Sequence, residues 1–308
     1  MPTELPFHTL DVFTDRAFGG NPLAVFPDAE GLDAERMQAI AGEMNLSETT
    51  FVLPPTDPAC THRVRIFTPR AELPFAGHPT LGTACLLASL GRGGPRLVLE
   101  EAVGPVPVEV RTAPGQAPYA ELTSPRLPER GAAVPDADAL AVVLSLEAAD
   151  LVADFGPAAA YSAGVPFLFV PVRDRSALAR ARLDRAAWEA QVAGGWAPQV
   201  FPFCLEPARD VVHAYGRMFA PALGIPEDPA TGGVAAAFAG WLADHAGAPD
   251  GDGTLRCDLR QGVEMGRPSL LHVYADFRAG RLSAVRVGGH AVRMCDGVLR
   301  LNDDGGER

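Results

Sequence analysis

The chain has 308 residues, of which 47% are hydrophobic and 21% charged, a composition that excludes an intrinsically disordered chain and allows two domains of ordinary size. The formal net charge of −12, with no visible basic stripe, argues against a nucleic-acid partner. All 26 basic residues are arginine, which excludes lysine Schiff-base chemistry and a nucleotide-binding P-loop.

Cysteine and histidine usage bears on compartment and metal binding. The five cysteines are odd in number and form no CxxC pair, which favours free thiols in a reducing cytoplasm. The seven histidines never occur at HxxxH spacing, so no structural zinc site is expected. The start of the chain carries Glu4, Asp11 and Asp15, and no apolar run approaches membrane-spanning length. We therefore expect neither a signal peptide nor a membrane partner.

The first half of the chain is predicted to be strands with two helices between them. Apolar residues at helical spacing predict a helix at about 33–44. The run from Leu81 to Leu90 is apolar on nearly all sides, so this second helix should be enclosed by a sheet. Alternating patterns and Gly/Pro turns predict strands at 7–12, 23–26, 49–54, 63–67, 97–100 and 106–111.

A Pro- and charge-rich segment from Ser124 to Asp136 predicts the boundary between two lobes. The tail at 270–301 is rich in strand patterns and is expected to return in part to the first lobe. The predicted lobes are thus residues 1–125 with about 286–308, and residues 126–285. The second lobe is predicted to contain helices at 137–146, 185–192 and 234–243, and strands at 167–172, 200–205 and 211–219.

The two halves of the chain repeat one another. The segment 65–69 (RIFTP) is echoed half a chain later by 217–221 (RMFAP), and each precedes a Gly-containing turn that opens an apolar run. Upstream, 32–34 (LDA) is echoed by 183–185 (LDR). This repeat predicts an α+β fold with two similar, pseudo-symmetric lobes, each a mixed β-sheet or barrel wrapped round a central helix. The N–H groups at the starts of two such helices would form an anion site.

Three polar residues near these helices are candidate catalytic groups. Glu48 enters an apolar strand, where desolvation would raise the pKa of its carboxyl toward that of a general base; an exposed glutamate at a strand start has the same local pattern. His78 follows Gly77 at the head of the first apolar helix, where it could relay a proton or cap the helix. Asp228 precedes the second apolar helix as a cap or as a substrate ligand. Gln261 is a weaker candidate, since turn chemistry explains most of its surroundings.

Five ordered segments carry a family resemblance: 18–22 (FGGNP), 45–49 (NLSET), 76–80 (AGHPT), 224–232 (GIPEDPATG) and 265–269 (MGRPS). In this order, and over nearly the whole chain, they resemble the phenazine-biosynthesis isomerase (PhzF-like) family, within the diaminopimelate-epimerase-like fold. The resemblance implies two similar lobes with the active site between them. It also implies proton transfer at carbon without a cofactor, on a small carboxylated molecule, often in a homodimer.

The resemblance also implies roles for single residues. Glu48 matches the family's proton-shuttling glutamate, and His78 and Asp228 match its polar site residues. Gly233 stands where the family commonly has serine, which predicts weak turnover of the family's best-known substrate, a dihydro-hydroxyanthranilate. The residues expected to bind substrate are Asn21, Gly77, Thr231, Gly232 and Gly233.

The leading hypothesis is an isomerase that moves a proton between carbons of a small carboxylated, unsaturated or cyclic substrate and needs neither metal nor organic cofactor. One alternative is a non-catalytic small-molecule binding protein with the same fold. Another is an amino-acid epimerase or racemase. Related epimerases use a cysteine at each helix start, where this chain has Ala76-Gly77 and Pro229-Ala230, so a two-cysteine racemase is disfavoured.

Overall fold

The structure, a computed structural model, describes residues 4–151, 154–206 and 211–301. The chain divides into two units: unit 1 holds the residues up to Leu122 and from Gly289 onward, and unit 2 holds Thr123–Gly288. One strand, β18 (Arg281–Arg300), contributes to both.

Unit 1 is a mixed sheet that contains both antiparallel and parallel strand pairs. Its elements are β1 (Glu4–Val12), β2 (Asn21–Phe26), α1 (Ala34–Met44), β3 (Glu48–Leu53), β4 (His62–Phe67), β5 (Glu72–Leu73), α2 (Gly77–Ser89), β6 (Arg96–Glu101), β7 (Gly104–Arg111) and β8 (Tyr119–Thr123). Strand β1 pairs with β2, β2 runs parallel to β3, β3 is antiparallel to β4, β4 runs parallel to β6, and β6, β7 and β8 follow as antiparallel neighbours. Strand β18 pairs with both β8 and β1 and so closes the series.

Helix α1 connects the parallel strands β2 and β3, as parallel pairing requires. It begins after Asp33, whose side chain accepts a hydrogen bond from the Arg36 N–H at 2.8 Å, and it ends at Asn45 in the left-handed conformation, with φ of 48°. Its buried face packs on an aromatic cluster in which Phe26 stacks on Phe51, with ring centroids 5.1 Å apart.

Helix α2 is enclosed by the strands of unit 1, as its uniformly apolar sequence predicts. All its residues from His78 to Leu87 are buried. Gly82 allows the close approach of the strands, because a Cβ there would lie 2.6 Å from side-chain atoms of both Leu23 and Val12. Burial of each large apolar side chain of this kind stabilises the fold by roughly 1.5–3 kcal/mol.

Unit 2 repeats this plan. Its elements are β9 (Glu129–Arg130), α3 (Ala137–Val143), β10 (Ala159–Ser162), β11 (Pro166–Pro171), α4 (Arg175–Arg180), α5 (Arg185–Gln191), β12 (Gln199–Glu206), β13 (Val212–Gly216), β14 (Met218–Ala220), β15 (Ile225–Asp228), α6 (Gly232–His245), β16 (Gly253–Gln261), β17 (Ser269–Arg278) and the first part of β18, with 3₁₀ turns at Ala148–Asp150 and Pro221–Leu223. Strands β10 and β11 are antiparallel, β11 and β12 parallel, β12 and β13 antiparallel, β13 and β16 parallel, and β16 and β17 antiparallel.

The order of pairing directions in unit 2 is the order found in unit 1, and α6 is enclosed as α2 is. Its core is aromatic: Phe203 lies edge-on to both Phe238 and Trp241, at 4.8 and 4.7 Å between ring centroids. The predicted α+β fold with two similar lobes, each a mixed sheet around a helix, is confirmed.

The repeated sequence segments also make the same local interactions. Asp33 and Asp184 each cap a helix, and the Asp184 side chain accepts from the Ala187 N–H at 2.8 Å. In the RIFTP segment, Arg65 forms a bidentate ion pair with Glu72, with both N–O distances 2.7 Å. In the RMFAP segment, the corresponding arginine forms a bidentate pair with Glu227, at 2.8 Å for each contact. Each guanidinium lies over the ring of the phenylalanine two residues later, with 5.1 and 5.0 Å between the guanidinium carbon and the ring centroid.

Several element boundaries predicted from the sequence are wrong. The first enclosed helix begins at Gly77 rather than at 81, because the predicted turn 77–80 is its first turn, where Pro79 is tolerated. Helix α3 ends at Val143 rather than at 146, because Ser145 is left-handed with φ of 55°. The strand predicted at 211–219 is interrupted at Arg217, which turns its side chain into the interior.

Some elements were not predicted at all. Helix α4 is short and charge-rich, and only the cap by Asp174, which accepts from the Ala177 N–H at 2.8 Å, marks its start. Strand β16 directly follows a Gly/Asp-rich turn, and its alternating burial pattern was not recognised in the sequence. No helix among the described residues is long and apolar enough to cross a membrane.

Candidate active site

Glu48 is the first residue of β3, and the parallel pairing of β2 with β3 fixes its position. In that register Glu48 lies opposite Leu23, directly after Asn21 and Pro22 at the start of β2. Asn21 itself is fully buried. The Glu48 side chain is 14% exposed. Its carboxyl group is thus largely withdrawn from water but still reachable, which suits a general acid–base group.

His78 is the second residue of α2, and the structure brings it to Glu48. Oε2 of Glu48 lies 3.3 Å from Nε2 of His78, and the His78 side chain is only 6% exposed. The sequence presented these residues as separate candidates, thirty positions apart. A buried hydrogen bond explains why they meet: the hydroxyls of Thr50 and Thr83, 2.8 Å apart, tie β3 to α2 beyond the Glu48–His78 contact.

The His78 ring is held in its neutral form. Burial lowers the pKa of His78 to about 3, although a hydrogen bond to the backbone of Pro22 acts in the opposite direction. Proline has no N–H, so the ring must donate to the Pro22 carbonyl. Nε2 forms no directed hydrogen bond with any residue that the structure describes. Nδ1 therefore carries the proton, and Nε2 points a lone pair toward Glu48.

Both enclosed helices begin at a glycine whose preceding residue provides no side-chain cap. The N-cap residues are Ala76 for α2 and Thr231 for α6, and neither first turn contains an acidic residue. N–H groups at such a helix start, with the positive end of the helix dipole, favour an anion. Gly77 and Gly232 are the first residues of the two helices.

In unit 2, Asp228 belongs to a hydrogen-bonded loop before α6. The Thr231 hydroxyl donates to Oδ2 of Asp228 at 2.5 Å. Since the N-cap of α6 is Thr231, the alternative that Asp228 is that helix's N-cap residue does not hold. Its side chain is 9% exposed and lies at the end of β15.

Gln261 holds this loop in place, a role to which the sequence gave little weight. The side chain is fully buried, and its Nε2 donates to the Asp228 carbonyl at 2.7 Å and to the Thr231 hydroxyl at 3.0 Å. Its Oε1 accepts from the Thr231 N–H at 3.2 Å. Because the amide fills a lone pair of the Thr231 oxygen, the hydroxyl proton is directed to Asp228. The QG pair before a turn was the only sequence signal for this glutamine.

Gly233 is the second residue of α6, and space exists for a side chain there. A Cβ built on Gly233 would lie 3.6 Å from the ring of Phe167, an ordinary van der Waals contact. Glycine at this position is therefore not required by sterics.

Cysteine and metal-ligand placement give no further candidates within the described residues. The cysteines there are free thiols, and neither Ala76–Gly77 nor Pro229–Ala230 places one at a helix start. No group of three or more His, Cys, Asp and Glu side chains in the described ranges could hold a metal ion.

Sequence comparison gives matches over nearly the full length. The profile of the family described as phenazine biosynthesis-like protein matches residues 10–297. An uncharacterized isomerase of Mesorhizobium japonicum is 44% identical over 294 residues, covering 94% of this chain and 96% of that protein. The trans-2,3-dihydro-3-hydroxyanthranilate isomerase of Pseudomonas aeruginosa is 37% identical over 293 residues, covering 95% and 98%.

Structure comparison agrees. A phenazine biosynthesis protein of the PhzF family from Bacillus anthracis superimposes with a TM-score of 0.86 at 25% identity, covering 97% of this chain and all of that one.

Proposed function

The chain belongs to the phenazine biosynthesis-like (PhzF) family and is an isomerase, and on this premise we propose that it moves a proton between carbons of a small carboxylated, cyclic or unsaturated substrate, with Glu48 as the general acid–base group. The observation that carries the proposal is the approach of Glu48 Oε2 to His78 Nε2 at 3.3 Å. A 1,3-type proton shift needs one group that first removes a proton and then returns it.

Neutral His78 supports this role for Glu48. With Nδ1 donating to Pro22, Nε2 is an acceptor, so it stabilises Glu48 when the carboxyl has taken up a proton from carbon. When Glu48 is ionised, the same lone pair offers it no hydrogen bond, and the carboxylate stays reactive. His78 is thus proposed to hold the transferred proton on the correct face of Glu48 between the two steps.

The substrate class follows from the helix starts. The N–H groups at Gly77 and Gly232 suit a carboxylate, and we propose that Gly77, Gly232 and Gly233 contribute such backbone donors. Asp228, Thr231 and Asn21 are proposed as the polar side chains that select the remaining substituents. Fixed dipoles of this kind also stabilise the negative charge that develops when a proton leaves carbon.

Solvent isotope incorporation tests the role of Glu48. In D₂O the Glu48→Gln variant should lose turnover and deuterium incorporation by a factor on the order of 10²–10⁴ while its melting temperature stays near that of the parent. Glu43→Gln, at an exposed position of α1, is the matched control and should keep full activity. Folded Glu48→Gln protein that still exchanges deuterium would remove Glu48 from the mechanism.

Assay substrates can be found without prior assumption. Mass spectrometry of metabolites that copurify with Glu48→Gln, which should bind but not turn over, would identify the ligand. Exchange of the α-hydrogen of free amino acids in D₂O would instead indicate an epimerase.

We further propose that turnover needs no metal or organic cofactor. Exhaustive dialysis against a chelator should leave the rate unchanged, and recovery of a lost rate on adding metal would contradict this. The cytoplasm is proposed as the compartment, since Cys295 is an exposed free thiol that a reducing compartment would preserve. A homodimer is proposed as the working state, as the family resemblance implies. Sedimentation at micromolar concentration tests the dimer.

A further inference from the structure

Glu101 is a buried carboxyl group outside the proposed chemistry. It is the last residue of β6, and only 5% of its surface is exposed. Its neighbour Glu100 points the other way and accepts hydrogen bonds from the N–H groups of Thr56 and Asp57. In the sequence the two glutamates look like an ordinary polar strand end.

Donor and acceptor counting favours the protonated form of Glu101. The hydroxyl oxygen of Thr80, in the first turn of α2, lies 2.7 Å from the Ala76 carbonyl oxygen and 2.7 Å from Oε1 of Glu101. A hydroxyl has one proton, and a carbonyl can only accept. The Ala76 carbonyl also accepts a hydrogen bond from the Thr80 N–H, at 3.3 Å. If Glu101 is protonated, it can donate to Thr80 while Thr80 donates to Ala76, so that both 2.7 Å contacts are hydrogen bonds. If Glu101 is ionised, the single hydroxyl proton of Thr80 can serve only one of them. In the protonated form the hydrogen bonds run from Glu101 to Thr80 to Ala76, directly before Gly77 and His78.

The surroundings favour the neutral acid. Oε2 of Glu101 is buried and has no hydrogen-bond partner among the described residues, which would be costly for a carboxylate. The titratable groups on the enclosed side of neighbouring elements are His62 in β4 and His78 and Cys85 in α2. Burial lowers the pKa of both histidines and raises the pKa of the cysteine, so it favours the neutral form of all three.

The charged groups of these neighbouring strands lie elsewhere. Arg65 pairs with Glu72, and the positive charge of Arg63 acts on Glu100. In β7, Glu109 and Arg111 are exposed and approach Arg96 and Glu121, respectively. Within the described part of the chain, no cation is therefore placed to hold Glu101 as an anion, and burial raises its pKa to about 8.

We propose that Glu101 is a positioning residue that works as a protonated acid and holds, through Thr80 and Ala76, the first turn of α2 that carries His78. When Glu101 ionises, Thr80 turns its proton to the carboxylate, and the Ala76 carbonyl keeps only the longer hydrogen bond from the Thr80 N–H, at 3.3 Å. The first turn of α2 is then held less firmly, and the surroundings of the His78 ring change. The enzyme would thus lose its organised site reversibly in mildly alkaline solution.

The proposal can be tested on the protein alone, so its outcome does not depend on the proposed reaction. Carboxyl ¹³C NMR of glutamate-labelled protein follows the titration, and the resonance absent from Glu101→Gln assigns Glu101. Nitrogen-15 shifts of the His78 ring report on the head of α2. In Glu101→Gln the side-chain amide can still donate to Thr80, so this variant should keep the chain of hydrogen bonds. Glu100→Gln is the matched control.

We expect the Glu101 signal to titrate with a midpoint near pH 8, and the His78 signals to move with the same midpoint in the parent protein and in Glu100→Gln. About tenfold more ionised than neutral Glu101 should be present at pH 9. The alkaline movement of His78 should be absent in Glu101→Gln. A Glu101 carboxyl that titrates below pH 5, or His78 signals that ignore the Glu101 titration, would overturn the proposal. If Glu101→Gln does not fold, Thr80→Val decides: Glu101 should still titrate high, but without moving His78.

Discussion

The hydroxyl groups of Thr50 and Thr83 lie 2.8 Å apart, both fully buried, and this contact holds helix α2 against strand β3. Two residues before Thr50 is Glu48, and five before Thr83 is His78. The hydrogen bond therefore sets the register in which the two proposed catalytic side chains approach each other, although neither threonine takes part in the proposed proton transfer.

Replacing one threonine should be worse than replacing both. Thr50→Val or Thr83→Val leaves one buried hydroxyl without its partner, which should lower the free energy of unfolding by about 1–3 kcal/mol. The double variant removes both polar groups at nearly constant shape and should lie closer to the parent. Urea denaturation of the four proteins closes the cycle. Additive losses in the double variant would mean that the two hydroxyls do not depend on each other.

The buried and the partly exposed arginine of the repeat should differ in their effect on stability. Arg217 is 4% exposed, pairs with Glu227 and donates to the Ala181 carbonyl at 2.7 Å, so Arg217→Met should cost about 3–5 kcal/mol. Arg65 pairs with Glu72 near the surface, and Arg65→Met should cost about 1 kcal/mol or less. Thermal and urea denaturation measure both. Equal losses would show that burial does not separate the two halves of the repeat.

Much of this fold is predictable because the repeated segments carry local sequence signals. Asp33 and Asp184 are cap residues at the starts of α1 and α5, and the apolar runs of α2 and α6 indicate that these helices are enclosed. Helix α4 is missed because its six residues are too few to show an apolar period. The end of α3 is missed because a left-handed serine has no sequence signal.

The candidate site is predictable only as a set of separate residues. Motifs single out Glu48, His78 and Asp228, but their distances depend on long-range pairing. The tautomer of His78 depends on the carbonyl of Pro22, far away in sequence. Gln261 is only a weak candidate in the sequence and Glu101 is not singled out at all, because their roles arise from burial, which the local pattern does not reveal.

Loss of His78 should remove part of the acid sensitivity of the fold. Its pKa is about 3 in the folded protein and near 6.5 in the unfolded chain, so the unfolded chain binds the proton first as pH falls. His78 is thus neutral at no cost above pH 6.5, and the parent loses stability between pH 6.5 and 3, by up to about 1.4 kcal/mol per pH unit. The stability difference between His78→Gln and the parent should shift in favour of the variant across this window and stay constant above it. A difference independent of pH would mean that His78 is not buried as a neutral ring.

Gln261 should affect turnover through Asp228. Gln261→Leu removes the donor to the Asp228 carbonyl and the acceptor for the Thr231 N–H, and should lower stability by about 1–3 kcal/mol. The freed Thr231 hydroxyl no longer has to donate to Asp228, so kcat/KM should fall by more than the loss of folded protein explains. Thr231→Ser keeps the hydroxyl and is the matched control, while Thr231→Val should resemble Gln261→Leu. A folded Gln261→Leu enzyme with unchanged kcat/KM would show that Gln261 does not position Asp228 for turnover.

Gly233 should set which substrate this enzyme accepts. Its N–H can still bind a carboxylate, but it offers no hydroxyl to a second polar group of the substrate. An unpaired buried polar group costs roughly 1–3 kcal/mol, or about one to two orders of magnitude in affinity. The unmodified protein should therefore turn over trans-2,3-dihydro-3-hydroxyanthranilate, the substrate in the name of its Pseudomonas relative, weakly or not at all. Gly233→Ser should increase that turnover, because a Cβ there meets only the Phe167 ring, at 3.6 Å, and the serine can be accommodated. Gly233→Ala, which adds the Cβ without the hydroxyl, separates the two effects and should give no gain. Efficient turnover by the unmodified protein would show that this position does not determine substrate choice.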